Sequence, residues 1–240
     1  MTMPAVTLSD PAVLAFVVIP LGLLGALLWG THAAARHLNE DDATRRHAIL
    51  ITVVVSAVWM TATWRAAESG VLRLWDATPP PFAVLVVGIL GVTAVLACTA
   101  YGRRLALGLP LWVLIGIQGF RLPLELAMHA MYERGVMPEQ MSYSGRNFDI
   151  VTGTTALMVA WLVRSGRVGR RVVLTWNVLG LLLVLNVVTV GILSTPRFRL
   201  FGDARLNVFI TYPPFVWLPA VMVLAALAGH LIVFRAVLRR

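Results

Sequence analysis

The chain has 240 residues, of which 59% are hydrophobic and 13% charged, and its mean hydropathy is +0.82. That balance excludes an ordinary soluble domain and defines an integral membrane protein. The formal net charge of +9 comes from 20 basic residues that are all arginine. They cluster at the ends of apolar runs, which fits anionic lipid headgroups and excludes nucleic acid as the partner. With no lysine in the chain, a retinal Schiff base is excluded as well.

Hydrocarbon about 30 Å thick needs roughly 20 helical residues to cross it. In chain order, apolar runs of suitable length lie at 11–30, 48–64, 82–101, 105–131, 145–163, 172–194 and 213–234. They predict an all-α, polytopic bundle of seven transmembrane helices in a single domain. No basic residue precedes Arg36, so the first run lacks the charged start of a signal peptide and is expected to be retained. The segment 36–47 has mixed charges and reads as a solvated loop. Cys98, the single cysteine, falls in the third run, where a buried structural thiol is expected.

Seven alternating spans place twelve arginines on one side and seven on the other, with Arg121 inside a span. The richer side is predicted to be cytoplasmic, with the N-terminus outside and the C-terminus inside. The longer connections, 65–81, 132–144 and 195–212, then face outward, where functional loops are expected.

Charged groups inside a bilayer cost several kcal/mol unless paired, so they mark candidate sites. Arg121, Glu125 and His129 recur at every fourth residue and share one face of the fourth span. In the fifth span only fourteen residues separate Asp149 from Arg164, about 21 Å of helix. Arg146, Asn147 and Asp149 must therefore dip into the outer half of the membrane. Arg65 and Glu68 end the second span, Asn186 lies in the sixth, and Tyr212 with Trp217 begins the seventh. These groups predict a polar pocket open to the outside.

Several chemistries compete for it. Arg121 and Arg146 suit a small anionic or polar ligand or a lipid headgroup, with Glu125 and Asp149 orienting them. Glu125 or Asp149 as acid or base, with His129 as proton partner, describes an intramembrane enzyme on a lipid-like substrate. Arg121 with Glu125, and Asp149 with Arg146 or Arg65, describes a purely structural lock. Glu125 and His129 have metal-ligand spacing but lack an HExxH motif or a second histidine at that level, so neither metal nor cofactor is expected. His32, His47 and His230 are placed together near the inner side, where haem or metal is the sharper reading and amphipathic interfacial histidines the plainer one. Met128, Met131, Met137 and Met141 read as apolar lining. A hydrolase built from Ser142 or Ser144, His129 and Asp149 lacks a nucleophile elbow.

The run Arg121-Leu-Pro-Leu-Glu125-Leu, the run Pro138-Glu-Gln-Met-Ser-Tyr-Ser-Gly-Arg-Asn-Phe-Asp149-Ile and the later Pro214-Phe-Val-Trp-Leu-Pro219 together resemble a family of small uncharacterised bacterial multi-pass membrane proteins. The resemblance covers most of the chain from the fourth span onward, and 145–150 is its most distinctive piece. It implies a bacterial cytoplasmic (inner) membrane and carries no activity, cofactor or catalytic residue with it.

Overall fold

The computed structural model describes residues 7–239, and among them every regular element is helical. Six helices are long and apolar enough to cross a membrane: α1 (Pro11–His37), α2 (Asp42–Glu68), α3 (Pro81–Cys98), the composite Leu111–Glu133, α8 (Arg170–Leu193), and Leu218–Arg239. Many of their large apolar side chains, including Val18, Leu50, Val58, Val87 and Leu179, stay exposed on the bundle surface. Water would penalise that arrangement and hydrocarbon does not. The fold is thus that of a multi-pass helical membrane bundle.

The helix ends follow local chemistry. Asp10 accepts from the Ala12 N–H at the start of α1 and pairs with Arg134 at 2.8 Å, tying that start to the chain beyond Glu133. Asp41 caps α2, and the Thr44 N–H and hydroxyl that donate to it hold its carboxyl below the ordinary aspartate range. At the opposite end of the bundle from Asp10, Glu40 pairs with Arg104.

The third and fourth spans do not begin and end where hydropathy suggested. α3 stops at Cys98, Thr99 is extended, and 100–108 forms a separate helix, α4 (Ala100–Gly108). Two close approaches fix this break. A Cβ on Gly102 would lie 2.3 Å from the Ala97 carbonyl oxygen, and one on Gly108 would lie 2.6 Å from Ala34 Cα. Arg235 caps the end of α3 by donating to the Ala97 and Thr99 carbonyls. Pro110 then restarts the chain as α5 (Leu111–Gly116), a tighter turn Ile117–Phe120, and α6 (Arg121–Glu133). Cys98 is exposed, not buried, because it closes α3 on the outer surface of the bundle.

α7 (Ile150–Arg164) has 15 residues, about 22 Å at 1.5 Å per residue. The chain before it, 134–149, is largely irregular yet holds buried Met137, Gln140, Met141, Ser142 and Asn147. Irregular backbone at such depth survives only where protein groups satisfy it. Asn147 donates to the Met141 carbonyl, and Gln140 donates to the Arg205 carbonyl and to Ser194. The last span opens with a π-helical turn, Leu218–Val223, and continues as α9 (Leu224–Arg239).

Candidate functional site

α6 presents Arg121 and Glu125 on one face, as their spacing requires, and both are buried, 0% and 1% exposed. Because α7 is short, Asp149 at its start reaches mid-bundle. Its Oδ2 lies 2.9 Å from Arg121 Nε. A Cβ on Gly153 would fall 2.4 Å from the Leu122 backbone nitrogen, so only glycine lets α7 approach α6 this closely. Asn147 organises the turn between them: its Nδ2 donates to Glu125 Oε2 at 2.7 Å, and its Oδ1 accepts from the Asp149 N–H at 3.0 Å.

The guanidinium reaches further. Arg121 Nη1 stands 3.0 Å from His230 Nε2 on α9, and His230 Nδ1 stands 2.8 Å from Asn177 Oδ1 on α8. Asn177 Nδ2 donates to the His230 carbonyl, which leaves Oδ1 as an acceptor, so Nδ1 carries the ring hydrogen. Nε2 is then the lone-pair nitrogen, as it must be opposite an arginine, which can only donate. A Cβ on Gly180 would lie 2.5 Å from His230 Cε1, so the imidazole sits directly against the α8 backbone.

The result is one buried chain of polar contacts, Glu125 to Asn147 to Asp149 to Arg121 to His230 to Asn177, carried by α6, the approach to α7, α9 and α8. It contains one guanidinium and two carboxyls. Three atoms of the ion pair stand apart: Arg121 Nη2, Arg121 Nε and Asp149 Oδ1 are buried with no hydrogen-bond partner among the described residues, Nε keeping its ionic contact with Asp149 Oδ2.

The other expected residues fall elsewhere. Arg146 is exposed over the Phe201 ring at 5.2 Å, in a turn before α7 where Arg146 and Phe148 face outward and Asn147 and Asp149 are buried. Arg121 therefore pairs with Asp149, and Arg146 does not join the network. Asn186 donates to the Arg146 carbonyl. Arg65 and Glu68 pair with each other at 2.6 Å on the surface of α2. Tyr212 lies beneath Arg73, 4.2 Å from guanidinium carbon to ring centre. His129 belongs to a separate group, with Nδ1 at 2.8 Å from Ser142 Oγ and 3.1 Å from Ser144 Oγ. It stacks on Tyr143, and its carboxylate neighbour is Glu133 at 3.6 Å, not Asp149.

His230 corrects the inner-histidine expectation. It sits in the Arg121 network, whereas His47 is exposed and His32 half-buried. Among the described residues no group of three or more His, Cys, Asp or Glu side chains converges as metal ligands would. Asn177 was the residue that sequence reasoning missed, and His230 was singled out but grouped with His32 and His47 in place of Arg121. The signal was present: His230 is an ionisable group inside an otherwise charge-free run, which by itself marks a site in a membrane span.

Fold and site together define a multi-pass helical membrane protein with an ionic network sealed in its interior. No protein-family model, curated protein or solved structure matches the chain.

Proposed function

We propose that the protein is a seven-pass protein of a bacterial cytoplasmic membrane, with α7 as its short fifth span, that binds a small anionic or polar ligand, lipid headgroups included, at Arg121. The N-terminus is outside and the arginine-rich end cytoplasmic, and the motifs at 121–126, 145–150 and 214–219 make it kin to small bacterial multi-pass proteins. The observation that carries the binding reading is the unpartnered Nη2 of a fully buried guanidinium. Burying a charged donor without an acceptor is costly, and an oxyanion or a polar oxygen meets that need. The ligand is expected to approach through the irregular segment 134–149, whose Asn147 contacts Glu125. Native mass spectrometry of the purified protein tests this: a small ligand retained by the unaltered chain and lost in Arg121→Gln supports it. A folded chain that retains no ligand rejects it.

A second reading, a structural lock, is favoured by the mutual pairing of Glu125, Asn147, Asp149, His230 and Asn177. As a lock, the cluster serves only helix packing, and neither the parent nor a folded Arg121→Gln, Asp149→Asn double variant retains a ligand. Acid or base chemistry on a lipid-like substrate rests on Glu125 and Asp149. His129 drops out as their proton partner, since it faces Ser142 and Ser144, and the His230 ring meets Arg121 and Asn177 instead of either carboxyl.

A further inference from the structure

Away from the ionic network, a cavity of about 380 Å³ opens between α1, α2, α3 and α9. Its walls are almost wholly apolar: Leu27 from α1, Val55 from α2, Leu96 from α3, and Ala225 and Ala228 from α9. α2 packs along α1 and forms no extended seam with α3, so the cavity is a slot with a side opening at hydrocarbon depth. One end is closed by Trp59, whose indole N–H donates to the Ala220 carbonyl in the π-helical turn. Its ring lies against α3, 3.3 Å from where a Cβ on Gly88 would be. The other end is closed by Tyr101, whose hydroxyl is tied to Thr31 at 2.6 Å and Thr52 at 3.3 Å.

We infer that this slot holds one acyl chain of an anionic phospholipid whose headgroup lies at the arginine-rich end. Three observations select that occupant. Along the last span, from the π-helical turn into α9, the slot runs from Ala220 to Ile232, about 18 Å at 1.5 Å per residue, close to the depth of one leaflet in a core about 30 Å thick. An apolar cavity of this kind does not hold water, so its walls gain contacts only from another apolar group. The end closed by Tyr101 is the end where α1 stops and α2 starts, and Arg36, Arg46 and Arg103 are exposed there. A guanidinium there meets a phosphate at the level where the chain leaves the slot. Since hydrocarbon itself exerts no net pull between apolar surfaces in a bilayer, selectivity comes from the headgroup and retention from the fit of the chain.

The test uses the full chain in nanodiscs of equal phosphatidylglycerol and phosphatidylcholine, with a trace of one lipid or the other carrying a photoreactive diazirine in mid-chain. Adducts are mapped by peptide mass spectrometry. The phosphatidylglycerol probe is expected to label the last span between Ala220 and Ile232. That labelling is lost in Ala225→Phe and in Ser56→Phe, which fill the slot from opposite walls, and kept in Val87→Phe on the exposed face of α3. Arg103→Gln lowers the preference for the anionic probe by about five-fold, as expected of one headgroup arginine. If Ala225→Phe fails to insert, Ser56→Phe gives the same readout from α2. Slot labelling unchanged in the filled variants overturns the site. Equal labelling by the phosphatidylcholine probe overturns the anionic lipid.

Discussion

α9 separates two regions of opposite character. On one face His230 meets Arg121 and Asn177, and polar groups from four elements close on one another. On the other, Ala225 and Ala228 leave an apolar slot. The polar region is specified by partners, since each buried donor or acceptor fixes where its counterpart must stand. The apolar region is specified by size alone, since small side chains along α9 set how near α2 and α3 come. A substitution in the first region breaks a particular bond, whereas one in the second changes a volume.

The largest expected effect is on the ion pair. Asp149→Ala leaves Arg121 buried and uncompensated and should destabilise the protein by roughly 3 to 5 kcal/mol, read by reversible unfolding in mixed micelles. The double change with Arg121→Met should recover much of that loss. A full-sized loss that the double variant does not relieve would mean that packing, not charge, holds α7 to α6.

Next come two close approaches to buried polar side chains, set against the open slot. Gly180→Ala drives a methyl to 2.5 Å from His230 Cε1, and Gly229→Ala drives one to 2.1 Å from Gln118 Nε2. Each should cost about 1 to 3 kcal/mol by overpacking. Ala225→Phe on the slot face should leave the midpoint nearly unchanged, because it enters open volume. Equal thermal shifts for Gly180→Ala and Ala225→Phe would erase the distinction between a region fixed by partners and one fixed by size.

Asn177→Leu removes the acceptor that holds the His230 ring hydrogen and should cost about 1 to 3 kcal/mol. Its effect should be strongly coupled to that of His230→Leu and independent of Arg146→Ala. Double-mutant cycles decide this: Arg146 with Glu125 should add to within about 0.5 kcal/mol, in keeping with Arg146 lying outside the network. The smallest effect belongs to Arg65→Ala, an exposed pair on α2 that should move stability by no more than about 0.5 kcal/mol. A larger shift there would place α2 in the energetics of the network after all.

How much of this was legible beforehand differs from residue to residue. The mid-bundle position of Asp149 followed from counting the residues between it and Arg164, since helical rise converts a count into a length. Arg121 with Glu125 on one face followed from their spacing. The breaks at Thr99 and before Leu218 did not, because apolar character runs through them and only contacts such as Gly102 against Ala97 end the helix there. Arg146 and Asn147 are chain neighbours, and nothing in their order says which turns inward.

By itself the sequence determined that the chain is helical and membrane-embedded, and that charged groups near 121–149 lie inside apolar surroundings. Those properties depend on composition, periodicity and rise per residue, which are local. Only the tertiary structure decided that Asp149 and not Arg146 meets Arg121, that His230 from a span more than a hundred residues away completes the network, and that the open volume lies on the far face of α9. Pairing and empty space are relations between helices that the chain brings together only on folding, and no local pattern encodes which faces will meet.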